Sequence, residues 1–138
     1  MTLEPARADS EARAIVVREC IATSLSLELD AVPLEANLMH DLGADSLTFL
    51  DIVFRLEQAF DIQITRGEME RAAKGNMSDD EFAPSGVISE AGLERLRSLI
   101  PESGQRIQAG LRPGQILGLF TARTFLNMVE GKLRGQAL

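Results

Sequence analysis

A chain of 138 residues, 45% hydrophobic and 25% charged, can build one modest core, and its composition excludes a disordered, collagen-like or disulfide-stapled protein. With 21 acidic against 14 basic side chains, a net charge of −7, it suits basic protein surfaces rather than a nucleic-acid backbone. A single cysteine, Cys20, fits a reducing, cytoplasmic setting; Glu4, Arg7, Asp9 and Glu11 stand where a secretory leader would be apolar, and no apolar run approaches the roughly 20 residues that span a bilayer.

Taken in chain order, the first element is a helix opening at Asp9 or Ser10, with Ala14, Val17, Ile21 and Leu25 recurring every three or four residues and the pattern fading near Leu27. A long loop follows, punctuated by Pro33, Asn37 and Gly43, in which Val32, Leu34, Leu38 and Leu42 are apolar enough to tuck against helices. The second helix is predicted over about Ser46 to Phe60. Leu47, Leu50, Val53, Phe54 and Leu56 are expected to form its core face, closed by Phe60, with Asp51, Arg55, Glu57 and Gln58 opposite. Beyond Thr65 the pattern loosens into a short polar helix over Glu68 to Lys74, stopped at Gly75-Asn76. A Ser89-capped helix with Leu93, Leu96 and Ile100 then ends at Pro101. Gly104, Gly110, Pro113, Gly114 and Gly118 predict loops and brief turns, and a last helix begins at Thr121 with Ala122, Phe125, Val129 and Leu133 on one face. No segment alternates as a strand would, so the expectation is an all-α fold.

Charge is unevenly distributed along this chain. Residues 1–64 hold 12 acidic and 4 basic side chains, residues 65–138 hold 9 and 10, and no lysine precedes Lys74. The first half therefore carries the whole imbalance, as expected if an acidic functional surface lies there. His40, the sole histidine, reads as a loop residue whose charge could respond near neutral pH, and Cys20 as a small buried apolar group. No cysteine–histidine spacing suggests a metal site.

The segment that carries chemistry is Asp41-Leu42-Gly43-Ala44-Asp45-Ser46-Leu47, which places a serine in the first turn of a helix after a long loop. Helix N-termini present amide groups without intrahelical partners and a partial positive charge, a setting suited to an attached phosphate. Read locally, Ser46 or Asp45 could equally be a helix cap. A Ser-His-Asp hydrolase using Ser46, His40 and Asp41 is the alternative of another class, although the glycines of a nucleophile elbow are replaced by Ala44 and Thr48 and no strand precedes the turn. A helical adaptor that is never modified is a third possibility.

This motif, followed by Phe49-Leu50-Asp51-Ile52-Val53-Phe54, Glu57, Phe60-Asp61 and Ile64, resembles the acyl carrier protein family from about Ala12 to Ile64, and the resemblance resumes at Phe120-Thr121. The Phe49–Phe54 run is similar to that of specialised bacterial carriers of very long acyl chains in lipid A. The resemblance implies an acyl-carrier-like helical bundle over residues 1–138, enlarged by a helical and loop insertion at about 65–119. It implies a covalent 4′-phosphopantetheine on Ser46, with Asp45 and Leu47 as motif neighbours, and no catalytic residue or metal in the chain itself. A phosphopantetheinyl transferase would activate the Ser46 hydroxyl to attack the β-phosphate of coenzyme A, breaking the pyrophosphate bond so that the nucleotide half leaves and a phosphodiester remains on Ser46. Acyl-transfer and chain-elongation enzymes of fatty acid or lipid biosynthesis would then dock basic patches against Asp41, Asp51 and Glu57. Peptidyl or polyketide carriage shares the arm and stays open as an alternative. Thr48, Arg55 and Gln58 depart from the family's usual charge pattern, which implies a dedicated set of partners. The insertion would enlarge the apolar enclosure, add a partner-specific face, or be a surface excursion.

Overall fold

Among the described residues, six α-helices, each opened by a polar side chain that accepts a first-turn amide, make up about half of the structure. In the computed structural model, which describes residues 9–135, they are α1 (Ser10–Leu25), α2 (Ser46–Phe60), α3 (Arg66–Lys74), α4 (Asp79–Phe82), α5 (Glu90–Leu99) and α6 (Ala122–Leu133). The caps are Asp9, Asp45, Thr65, Ser78, Ser89 and Thr121. Short 3-10 segments lie at Leu29–Ala31, Pro101–Arg106 and Pro113–Leu119, so the stretch expected as loops and turns is partly helical. Among the described residues there is no strand, only an isolated bridge between Asn37 and Thr121, and the all-α expectation is met. Glu4 and Arg7, which entered the argument against a leader, lie outside the described residues.

α1 packs on α2 and on α6, and α3 packs on α5. Val17 and Ile21 of α1, Val32 and Leu38 of the loop, Ile52, Leu56 and Phe60 of α2, and Phe125 and Val129 of α6 are all fully buried. Residues 65–119, expected as an insertion, contribute Phe82, Ile88, Leu93, Leu96, Ile100 and Ile107 to the same core rather than lying on its surface. Two ion pairs, each side chain less than a fifth exposed, brace α6 against its neighbours: Arg13–Glu130 at 2.8 Å from α1 and Lys132–Glu68 at 2.8 Å from α3. α4 was not anticipated, because four residues are too few to display a period. Its signal was Ser78 with Glu81 three residues on, which close a reciprocal capping box. Gly92 of α5 permits the close approach of this corner: a Cβ there would stand 2.9 Å from the Phe82 ring and 2.7 Å from Ile88.

α2 spans the expected residues but presents a different face to the core. Phe49, Ile52, Leu56 and Phe60 are buried, whereas Leu47, Leu50 and Phe54 are 77%, 66% and 58% exposed. Both stripes have helical spacing, so apolar content alone does not choose between them. Aromatic packing decides. The Phe49 ring lies 5.8 Å, centroid to centroid, from both Phe120 and Phe125, and those two stand 5.4 Å apart edge to face; such pairs are worth about 0.5–1.5 kcal/mol beyond their buried area.

The long loop is tied to the end of the insertion. Leu38 N–H donates to Phe120 C=O at 3.0 Å, Ala122 N–H to Ala36 C=O at 3.2 Å and Arg123 N–H to Leu34 C=O at 2.9 Å. Asn37, 3% exposed, donates from Nδ2 to Gly118 C=O at 2.8 Å and accepts the His40 N–H at 2.9 Å. Asn37→Ala leaves both partners without their bonds and is expected to cost about 2 kcal/mol, read as a lower urea midpoint with an unchanged slope. An unaltered midpoint would show that the clasp does not depend on this side chain.

Candidate functional site

The loop delivers the chain to α2 through one tight turn. Gly43 adopts φ +77°, a conformation that side-chain-bearing residues rarely occupy, and the Ala44 N–H donates to Leu38 C=O at 2.8 Å to close the loop. Ala44 is buried; Asp45, Ser46 and Leu47, the next three residues, are exposed. Asp45 is the N-cap of α2, its Oδ1 accepting the Thr48 N–H at 2.9 Å and the Thr48 hydroxyl at 2.8 Å. Those donors, the backbone amide first, hold the Asp45 carboxyl below its usual range. Ser46 is thus the first helical residue and is not needed as the cap. Space around Gly43 is open, since a Cβ there would meet nothing within 4 Å.

The three carboxylates expected to face partners are each also engaged within the chain. Asp41 accepts the Asn37 N–H at 2.8 Å and holds the loop. Asp51 accepts the Ser24 hydroxyl at 2.6 Å from α1 and Arg55 Nε at 2.8 Å; the Ser24 bond first, then Arg55, lowers its affinity for a proton. Glu57 accepts the Ile64 N–H at 3.0 Å and secures the turn beyond α2. Sequence reasoning missed that Leu47, Leu50 and Phe54 line the outside of α2. Their i, i+3, i+7 spacing was visible, but it was assigned to the core.

His40 is exposed and lines a shallow recess with Gln105, Gln108 and Gln115 of the insertion; among the described residues no hydrogen bond joins it to Ser46. Cys20 is half-buried between α1 and α2, and burial pushes its thiol up to about 11, which disfavours the thiolate. No group of three or more histidine, cysteine, aspartate or glutamate side chains suited to a metal ion occurs among the described residues, nor is any described helix long and apolar enough to cross a membrane.

Comparison with known proteins places this geometry in context. A family described as a phosphopantetheine attachment site matches residues 16–73, from α1 through α3. Acyl carrier proteins of Campylobacter jejuni subsp. doylei and Campylobacter lari are each 36% identical over 58 residues, which is 42% of this chain and 75% of theirs. That of Campylobacter concisus is 40% identical over 55 residues, 40% of this chain and 71% of its own. No solved structure matches the chain.

The carboxylates set a pH dependence of stability. Asp45, Asp51, Glu35 (beside Arg123) and Glu68 (beside Lys132) all bind protons less readily in the fold than in free form. A depressed carboxyl stabilises the fold above its unfolded value and loses that contribution as pH falls through its folded value. The thermal midpoint should therefore hold from neutrality down to the ordinary carboxylate range, about pH 4, and drop below it. Asp45→Asn, which can still cap, should flatten that drop; a profile identical to that of the unmodified sequence would remove Asp45 from the account.

Proposed function

The chain belongs to the acyl carrier protein family, and on that premise we propose that Ser46 is the residue bearing its covalent 4′-phosphopantetheine. One observation carries the assignment: Ser46 is an exposed hydroxyl on the first residue of α2, with capping performed by Asp45. When attached, the group supplies a flexible arm ending in a thiol on which acyl groups ride as thioesters. The chain's own residues present it. Gly43 and the loop clasp set where Ser46 emerges, and the first-turn amides and positive end of α2 favour the anionic ester at its oxygen. Members of this family carry cargo rather than transform it, which sets aside the hydrolase reading. Transferases and biosynthetic enzymes are the partners that membership implies.

The proposal extends to a specialised acyl carrier of fatty acid or lipid biosynthesis, working in the cytoplasm. Support comes from the helices that continue past the matched region and join the core, and from Thr48, Arg55 and Gln58 on α2. Partner enzymes would meet α2 on the Leu47, Leu50 and Phe54 stripe. Asp41, Asp51 and Glu57 would add steering toward basic patches.

Intact mass after incubation with a phosphopantetheinyl transferase and coenzyme A tests the attachment. A gain of one phosphopantetheine is expected, absent in Ser46→Ala; addition to that variant would move the site elsewhere. A second experiment concerns docking. Leu50→Ser and Phe54→Ser alter exposed side chains and should change stability by no more than about 0.5 kcal/mol, while slowing acyl transfer from a partner enzyme. Unchanged transfer rates would free the stripe from any such role.

A further inference from the structure

Three separate stretches meet at the recess of about 290 Å³ that His40 lines. His40 comes from the loop before Ser46, Arg106 ends the 3-10 segment Pro101–Arg106, and Gln115 lies in the segment Pro113–Leu119. Gln105 and Gln108 complete the polar rim, over a floor that includes Gly118 and Leu119. No carboxylate lines this recess, although the chain holds 21 acidic side chains against 14 basic ones. Asp41, next to His40, gives its Oδ2 to the Asn37 N–H instead.

The donors around the recess are not engaged by the fold. Arg18, Arg95 and Arg97 each donate to a backbone carbonyl, and Arg55 and Arg123 each hold a carboxylate. Neither the Arg106 guanidinium nor the His40 ring has a hydrogen-bond or ion-pair partner among the described residues. Gln115 is oriented as well: its Oε1 accepts the Arg112 N–H at 2.9 Å, which leaves its amide nitrogen to donate. Gln108 is fixed in turn, donating from Nε2 to the Gln105 C=O at 2.7 Å. A cationic fork, an imidazole and an oriented amide therefore share one shallow surface.

That donor set selects a class of ligand. A carboxylate presents two oxygens in one plane, which a single arginine satisfies. Donors from three stretches suit a tetrahedral oxyanion, whose oxygens point in several directions, and a phosphate monoester carries about −1.5 to −2 charge near neutral pH. The His40 ring offers an N–H in either protonation state and a positive charge once protonated. We propose that this recess binds a phosphate monoester group, with Arg106 and His40 as its charged partners and Gln115 as a neutral donor. A soluble metabolite and a lipid headgroup present the same oxygens. The site goes beyond the carrier reading and depends on neither Ser46 nor its arm.

His40 is the sole histidine, so its ring C–H signals report on the recess directly. In the first arm, the full chain and its Ser46→Ala form are titrated with methyl phosphate, with sodium chloride of equal ionic strength as control. A saturable shift of the His40 signals and a rising thermal midpoint are expected in both forms, and in neither with chloride. Arg106→Gln alters an exposed side chain without a partner, so it should fold normally while weakening affinity roughly tenfold. Gly118→Ala, whose Cβ would stand 3.6 Å from His40 Nε2, should also weaken it by narrowing the recess. Arg112→Gln removes the same charge from a residue that does not line the recess and should change affinity by less than about twofold. In the second arm, the protein is sedimented with phosphatidylcholine vesicles with or without phosphatidic acid. Co-sedimentation that needs phosphatidic acid and Arg106 assigns the site to a lipid headgroup; a response to methyl phosphate alone assigns it to a soluble ester. Equal weakening by Arg106→Gln and Arg112→Gln would reduce the effect to diffuse positive potential and overturn the proposal. So would the lack of a saturable response in both arms, and either result leaves the carrier reading intact.

Discussion

Everything around Ser46 depends on a backbone clasp between the loop of residues 34–44 and the chain entering α6. Amides at Leu38, Ala122 and Arg123 reach across it, and the buried Asn37 amide binds Gly118 from within. A loop of this length would otherwise carry its polar groups into solvent and leave the start of α2 poorly defined. Satisfied from the far end of the sequence, it becomes a rigid lead-in, and the left-handed turn at Gly43 follows at a set position.

α2 divides its labour by face. Phe49, Ile52, Leu56 and Phe60 hold it to the bundle, while Leu47, Leu50 and Phe54 stand outside as an apolar stripe beside Ser46. Exposed large apolar groups in a row are uncommon on a surface that meets only water. The carboxylates nearby serve two ends. Asp51 secures α2 to α1 through Ser24, Glu57 closes the turn at Ile64, and Asp41 braces the loop, and all three still add negative potential to that side of the molecule. Replacing one of them therefore removes a hydrogen bond within the fold as well as a negative charge.

Residues 65–119 add to the core. Phe82, Ile88, Leu93, Leu96, Ile100 and Ile107 merge with the core of the first half, and the Glu68–Lys132 pair anchors α3 to α6. Between these elements stays a mostly apolar cavity with Glu102, Asn127 and Arg134 also in its wall.

Local signals determined much of this protein in advance. Caps at Asp45, Ser89 and Thr121, the periodicity of α1 and α6, the punctuation at Gly43 and Gly75 and the motif ending in Ser46-Leu47 lie within a few residues of what they govern, so the all-α fold and the carrier motif were legible. Three features were not. The buried face of α2 was decided by Phe120 and Phe125, some seventy residues away, because two apolar stripes of the same period compete and only a partner surface breaks the tie. The second duties of Asp41, Asp51 and Glu57 depend on where the donors Asn37, Ser24 and Ile64 come to lie. The cavity between α3, α5 and α6 arises where three separate stretches fail to fill the space between them, and volume left between elements is a property of their packing in three dimensions that no one-dimensional pattern encodes.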